Sequence, residues 1–232
     1  MGFRRIRARH ALVGVVALTA AATTACSSDD RAPAEDLPAA PALVDEAAEA
    51  ARGIDSAHVT LDVEGSLPGV PVRSIEGDLT GEGEAVGTGT LEQAGQLVEV
   101  EFVLTADTLY LKGPTGQHQE IPAAFASSVY DPSAILDPEG GIAGLLTDLR
   151  RPRTLAAEEV SGTPAYKLGG TLPPETLSGL LPGVDSGADV TFWVRSDDSR
   201  MPVRASAEFD GGATVDITLS GVNEPVTVEA PA

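Results

Sequence analysis

The one thiol in the 232-residue chain is Cys26, and a lone thiol can attack, ligate a metal or be acylated, but it cannot close a disulfide within its own chain. Nothing supplies it with metal partners. The three histidines, His10, His58 and His118, stand far from it and from one another, whereas a metal site needs ligands grouped at short intervals. His58 falls on the polar side of an alternating segment and His118 in a loop. No metal and no cofactor is therefore expected. Ser66 sits in Gly65-Ser66-Leu67-Pro68-Gly69, a turn sequence, and not in the G-x-S-x-G elbow that exposes a hydrolase nucleophile. Asp197-Asp198 lacks the spaced oxygen ligands of a calcium loop. The other carboxylates alternate outward along extended segments, where they are solvated and not paired for acid/base work. Arg150, Arg151 and Arg153 either complement a helix C-terminus or hold an anionic headgroup at the mouth of a cavity. With no catalytic apparatus in view, a non-enzymatic protein is expected.

The chemistry left to Cys26 is acylation. Arg4, Arg5, Arg7 and Arg9 form a basic start, and Ala11 to Ala22 an apolar run too short to cross a bilayer as a helix. Thr23-Thr24-Ala25-Cys26 resembles a bacterial lipoprotein cleavage box, in which a signal peptidase cuts before a cysteine that then carries acyl chains. Thr23 departs from it, since an aliphatic residue is usual there. A plain secretory signal is the competing reading, and the residues flanking Arg4-Arg5 fit twin-arginine export poorly. Residues 1–25 are read as a signal peptide, 26–40 as a small, polar, proline-bearing tether, and 41–232 as a single domain. Loss of the four signal arginines takes the formal charge from −20 to −24. So acidic a chain repels nucleic acid and anionic lipid surfaces. No nucleic-acid partner is expected, and attachment to the extracytoplasmic side of the cell membrane has to come from the lipid on Cys26.

The elements that would position any site are mostly strands. Val59, Leu61 and Val63 alternate with polar neighbours, as do Val98, Val100, Phe102 and Leu104, and the latter run continues through a tight turn at Ala106-Asp107 into Leu109 and Leu111. Ile75 and Leu79 mark a strand between these, with Gly81–Gly89 read as a twisted or bulged connection. Strands resume at Tyr166–Gly170 and at Val190, Phe192 and Val194; further ones follow at Ala205–Phe209, at Val215–Leu219 and at Val226 and Val228. Helices are few. One spans Pro41–Arg52, with Leu43, Val44, Ala47, Ala48 and Ala51 inward, one Pro122–Tyr130 and one Thr176–Leu181. Between them Asp131-Pro132 and Asp137-Pro138 each offer an N-cap and a first-turn proline, so two short helices are expected to begin there. The second carries the stripe Ile142, Leu145, Leu146 and Leu149, and its glycines suggest a movable lid. Strands with one wet and one covered face require an antiparallel sheet. With so few helices to cover it, a large curled sheet leaves apolar space unfilled.

The ordered set Tyr130-Asp131-Pro132-Ser133, Leu136-Asp137-Pro138, Gly141-Ile142-Ala143 and Leu146 resembles the central segment of the LppX/LprA/LprF/LprG lipoproteins of actinobacterial envelopes, most of all their LprG branch. Ser56-Ala57-His58, Gly77-Asp78-Leu79-Thr80, Val190-Thr191-Phe192-Trp193-Val194, Ile217-Thr218-Leu219-Ser220 and Glu224-Pro225-Val226-Thr227-Val228 extend the likeness across the mature chain. The resemblance implies an α+β fold: a curved antiparallel half-barrel with short helices on its concave face, around an apolar cavity for the acyl chains of glycolipids or triacylglycerol. It also implies cooperation with a major-facilitator efflux transporter in lipid export. Following the alternation, the expected lining is Val59, Leu61, Val63, Val98, Val100, Phe102, Leu104, Phe192 and Val194 from strands, with Ile142, Leu145, Leu146 and Leu149 from the helix. A one-residue slip in register would turn every strand member outward. The alternative is a non-catalytic envelope interaction protein with a filled core, partnering a membrane transporter.

Overall fold

Successive segments of the chain fold back on one another as β1 (Ser56–Glu64), β2 (Val72–Thr80), β3 (Ala85–Gln93), β4 (Gln96–Leu104), β5 (Thr108–Lys112) and β6 (His118–Pro122). After a helical interlude come β7 (Arg150–Val160), β8 (Thr163–Leu172), β9 (Ala188–Arg195), β10 (Pro202–Phe209) and β11 (Thr214–Ser220). This is seen in a computed structural model that describes residues 37–126, 132–181 and 183–231. All eleven strands belong to one antiparallel sheet, in the order β6-β5-β4-β3-β2-β1-β11-β10-β9-β8-β7. Every pairing but one joins sequence neighbours. The exception, β1 with β11, places Leu61 opposite Ile217 and Val63 opposite Val215, and so puts β1 at the middle of an open sheet. Asn223 secures this seam: its side-chain amide donates to the Gly53 carbonyl at 2.9 Å and its Oδ1 accepts from the Asp55 N–H at 2.7 Å.

The sheet curls around one face, and glycines let it. On β2 and β3, Gly77 pairs directly with Gly87, and Gly89 with Ile75. A Cβ on Gly87 would lie 2.2 Å from the Glu76 carbonyl oxygen and 2.7 Å from Gly77 Cα, so the two strands approach here more closely than any side chain allows. Tight hairpins follow the same economy: Ala94-Gly95 and Ser161-Gly162, both pairs with positive φ, make the two-residue turns whose twist matches the strands.

The helices sit on the inner face but cover only part of it. They are α1 (Ala40–Arg52), α2 (Ala123–Ala126), a 3-10 turn at Pro132–Ile135, α3 (Ile142–Thr147) and α4 (Pro174–Leu180). α1 buries Leu43, Val44, Ala47, Ala48 and Ala51, as its periodicity requires, and lies against β7, β10 and α3. α3 touches α4, the 3-10 turn touches α4 and β2, and α2 touches β5 and β6. The helical layer is thus gathered over the β7–β11 half.

Several expectations need correction. Gly81–Gly89 is not a connection throughout: from Ala85 it is β3, its glycines on the inner face of a strand. His118 lies in β6, not in a loop. The arginines do not complement a helix end: Arg150, Arg151 and Arg153 open β7, with a register shift between Arg150 and Arg153 and Arg150 bridged to Glu175 at 3.2 Å. No strand forms at Val226 and Val228, because the edge they would need is already taken by β1 and β11. Asp137 does cap backbone N–H groups, accepting from Glu139 at 2.9 Å and Gly140 at 2.5 Å. It caps a turn, however, and α3 begins only at Ile142, past Gly141. The Asp131 cap, residues 127–130 of the helix expected to Tyr130, the signal peptide, most of the tether and Cys26 lie outside the described residues.

Candidate functional site

Over the β2–β6 half of the inner face the described helical contacts are those of α2 with β5 and β6 and of the 3-10 turn with β2, and there a cavity of about 520 Å³ opens. Its floor is built strand by strand: Val59 and Leu61 from β1, Val72, Ile75 and Leu79 from β2, Gly89 and Leu91 from β3, and Val100, Phe102 and Leu104 from β4. Leu109 and Leu111 of β5 and Ile121 of β6 continue it outward. Gly69, Val70 and Pro71 of the β1–β2 loop, Phe125 of α2, Ile135 and Leu181 close the sides. No member of this lining carries a charge or a side-chain hydrogen-bonding group. The size lies in the range of ligand pockets generally, 300–1,000 Å³, but the usual few polar groups that orient a small molecule are missing. Such a space can exclude water and hold hydrocarbon; the described side chains that line it offer no hydrogen bond to a polar substrate.

Two sequence features make the cavity. The first is glycine on β3: Gly89 lines the floor without a side chain, and Gly87, of the same parity, leaves its place to the Phe102 ring, 3.0 Å from where its Cβ would stand. The second is burial. Val98, Val100 and Phe102 alternate as cleanly as Val190, Phe192 and Val194, yet the first three are only half-buried while Phe192 and Val194 are fully buried. The difference is what lies above each run: open space in one case, the helical layer in the other.

The expected lining therefore divides. Val59, Leu61, Val100, Phe102 and Leu104 do face the cavity. Val98, opposite Leu91, and Val63, opposite Val215, fall outside it. Phe192 and Val194 belong to the filled half, where they join one core with the residues of α1. Ile142, Leu146 and Leu149 are buried in that same core, Leu149 seated where a Cβ on Gly170 would stand. Leu145 borders a separate space of about 40 Å³ between α3, α4 and the sheet. α3 is packed closely here: a Cβ on Gly141 or Gly144 would come within 2.4 Å of backbone oxygens, and the stripe expected of a lid is buried against the core and not aimed into the large cavity. The expected lining does not include Val70, Val72, Ile75, Leu79, Leu91, Leu109, Leu111, Ile121, Phe125, Ile135 and Leu181. Leu91, Leu109, Leu111 and Ile121 share the inward parity of their strands, whereas Val72 is turned inward by the register shift between Val72 and Ser74; the loop and helix-end members carry no periodic signal.

Polar chemistry lies on the outer face. Trp193 is buried there, its indole N–H donating to Glu158, with Lys167 Nζ 5.1 Å and the Arg204 guanidinium 4.8 Å from its ring. Arg204 in turn donates to Asp216 Oδ1 at 2.6 Å, so a ladder of charge and ring crosses β7 to β11. Asp197, in the β9–β10 turn, accepts from Arg195 Nε at 2.8 Å and from the Ser199 N–H at 3.1 Å. Those bonds, the Arg195 one foremost, hold its carboxyl well below the usual carboxylate range. These are structural ties. His58 Nδ1 lies 2.8 Å from Asp78 Oδ1, and among the described residues no cluster of His, Cys, Asp and Glu could hold a metal ion.

Known proteins share both sequence and shape with this chain. It is 33% identical over 230 residues to the lipoarabinomannan carrier protein LprG of Mycolicibacterium hassiacum, covering 93% of this chain and 94% of the relative. With the protein of the same name from Mycobacterium tuberculosis the identity is 28%, over 98% of this chain and 97% of the relative. The crystal structure of LprF from Mycobacterium bovis superposes with a TM-score of 0.75 at 26% identity, covering 83% of this chain and 97% of that one. Lipoprotein LppX of Mycobacterium tuberculosis gives 0.63 at 26% identity, covering 82% and 100%. The sequence model of one family, described as LppX_LprAFG lipoprotein, matches residues 39–228, and with an open eleven-stranded sheet of the same fold the chain belongs to that family.

Proposed function

We propose that the protein is a non-enzymatic carrier of acylated lipid in the cell envelope, holding acyl chains in the cavity over β2–β6. The observation that carries this reading is the lining: about 520 Å³ bordered, among the described residues, by aliphatic and aromatic side chains and glycine, without a polar side chain among them. Each methylene moved from water into such a space gains roughly 0.8 kcal/mol, enough for a few turns of hydrocarbon to outweigh the cost of confining them. A glycolipid is the favoured cargo, since relatives of nearly equal length are named lipoarabinomannan carriers; triacylglycerol is the second candidate. Cys26 would be acylated and anchor the chain on the extracytoplasmic side of the cell membrane. Residues 26–40 would act as tether and 41–232 as the carrier domain, and a major-facilitator efflux transporter would be the partner that delivers or receives cargo. A filled-core interaction protein does not account for the cavity.

The test is organic extraction of protein purified without residues 1–26, followed by mass spectrometry. Lipids with acyl chains should be recovered in near-stoichiometric amount, or be taken up from vesicles of extracted envelope lipid. A protein that yields none and takes up none would overturn the reading.

A further inference from the structure

Two spaces bordered by described residues of the inner face share a wall. The large cavity lies over β2–β6 and the space of about 40 Å³ lies under α3 and α4, over β8–β11. Three residues border both: Leu61, Ile135 and Leu181. Leu61 rises from β1, the middle strand of the sheet. Ile135 ends the 3-10 turn and Leu181 caps α4, so the two descend from the helical layer to meet it. All three are at most 9% exposed. None is charged, and no hydrogen bond of their side chains holds them in place, so what separates the two spaces is aliphatic packing alone.

We propose that Leu61, Ile135 and Leu181 form a partition that limits the length of hydrocarbon the protein accepts. This rests on the lipid-carrier reading and specifies its cargo. Hydrocarbon entering over β4–β6 runs toward the middle of the sheet, where the floor rises from Gly89 of β3 to the Leu61 side chain. There it meets Ile135 and Leu181 from above and stops. Beyond the wall the small space is bordered by Ala205 and Ala207 of β10, short side chains that leave room unused by the core. Shortening Ile135 or Leu181 to alanine removes three carbons from the wall and joins that room to the large cavity. The position of the partition, more than the total volume, thus sets where chain length is cut off.

The experiment loads protein lacking residues 1–26 with a homologous series of saturated triacylglycerols of increasing chain length, and reads retained lipid by native mass spectrometry. The parent should show a length beyond which retention falls. Ile135→Ala and Leu181→Ala should move that length upward by about three carbons, the number cut from the wall. Ile217→Ala borders only the small space and should leave it unmoved. Adding Ala205→Leu to Ile135→Ala refills the joined space and should restore the parental cut-off. Should the alanine variants fail to fold, Ile135→Val gives a smaller shift in the same direction. A parent that retains no triacylglycerol of any length and takes up no lipid from vesicles of extracted envelope lipid overturns the carrier reading itself. A parent with a clear cut-off that neither wall variant moves, or that Ile217→Ala moves equally, overturns the partition and leaves the carrier reading standing.

Discussion

Val100→Trp separates a cavity from a core in a single comparison. Val100 projects from β4 into the cavity, half-buried, and its partner across the ladder is Gly89, whose missing Cβ would stand 3.9 Å from Val100 Cγ2. The indole adds seven heavy atoms and enters about 520 Å³ of space, so no neighbour has to move, and stability should stay within about 1 kcal/mol of the parent. The matched control is Val194→Trp. Val194 has no exposed surface and sits under the helical layer, where the same added atoms must displace packed side chains at about 3 kcal/mol, the upper end of the usual range. For a domain of this size that is a midpoint lower by about 6–12 °C, against no more than about 2–4 °C for Val100→Trp. Circular dichroism melts of the non-acylated protein read both. If the indole displaces two or more methylenes of cargo, the loss of about 1.6 kcal/mol lowers retention roughly tenfold. Equal destabilisation by the two substitutions would mean that the β4 side is packed; a stable Val100→Trp with undiminished lipid would mean that cargo binds elsewhere.

Cys26→Ala should release the protein from membranes into the soluble fraction with an unchanged melting curve, because the tether precedes the first helix of the domain; unchanged detergent partitioning would refute the anchor. Gly87→Ala forces a Cβ to within 2.2 Å of a backbone oxygen and should lower stability by roughly 1–3 kcal/mol and reduce lipid retention by opening the curl. Gly113→Ala, with nothing near its Cβ, should do neither, and calorimetry on the pair checks the claim. Stripping lipid from the purified protein should lower its melting temperature, and adding lipid back should raise it in a concentration-dependent way; a midpoint indifferent to lipid would count against a filled cavity in the working state.

Much of the sheet is legible in the sequence because alternation is a local property: Val59, Leu61, Val63 and Val98 to Leu104 identify their strands without reference to anything distant. What alternation cannot convey is what lies above an inward face. Val100 and Phe192 occupy equivalent positions in equally regular strands, but α1, far from β9 in the chain, lands on β7 and β10 and the core closes around Phe192, while Val100 faces the cavity. Coverage depends on long-range packing, so the cavity fell on one half of a sheet whose halves read alike. Glycines were the overlooked signal. Gly87 and Gly89 share one strand parity, and inward glycines leave room above a floor: Gly89 lines it without a side chain, and Gly87 leaves its place to the Phe102 ring. Ile135 and Leu181 were beyond reach for another reason: each ends a helical element of four to seven residues, too short for periodicity to say which way its last side chain points.

The size of the cavity constrains how the fold can be stable. Left as a dry void in a core, about 520 Å³ at about 24 cal/mol per Å³ would cost about 12 kcal/mol, which is the whole stability of an ordinary domain, about 5–15 kcal/mol. The sheet therefore does not depend on that half for its integrity. The β7–β11 half supplies a closed core with α1, α3 and α4, and the seam of β1 with β11, clamped by Asn223, joins the open half to it. The open half keeps its shape by other means: a continuous backbone ladder from β1 to β6, and a glycine-enforced curl that cannot flatten without separating Gly77 from Gly87. Such a division lets one face stay hollow while the molecule remains folded. On the carrier reading, hydrocarbon then takes the place that side chains occupy in the other half, and the same apolar burial that stabilises a core becomes the binding energy for cargo.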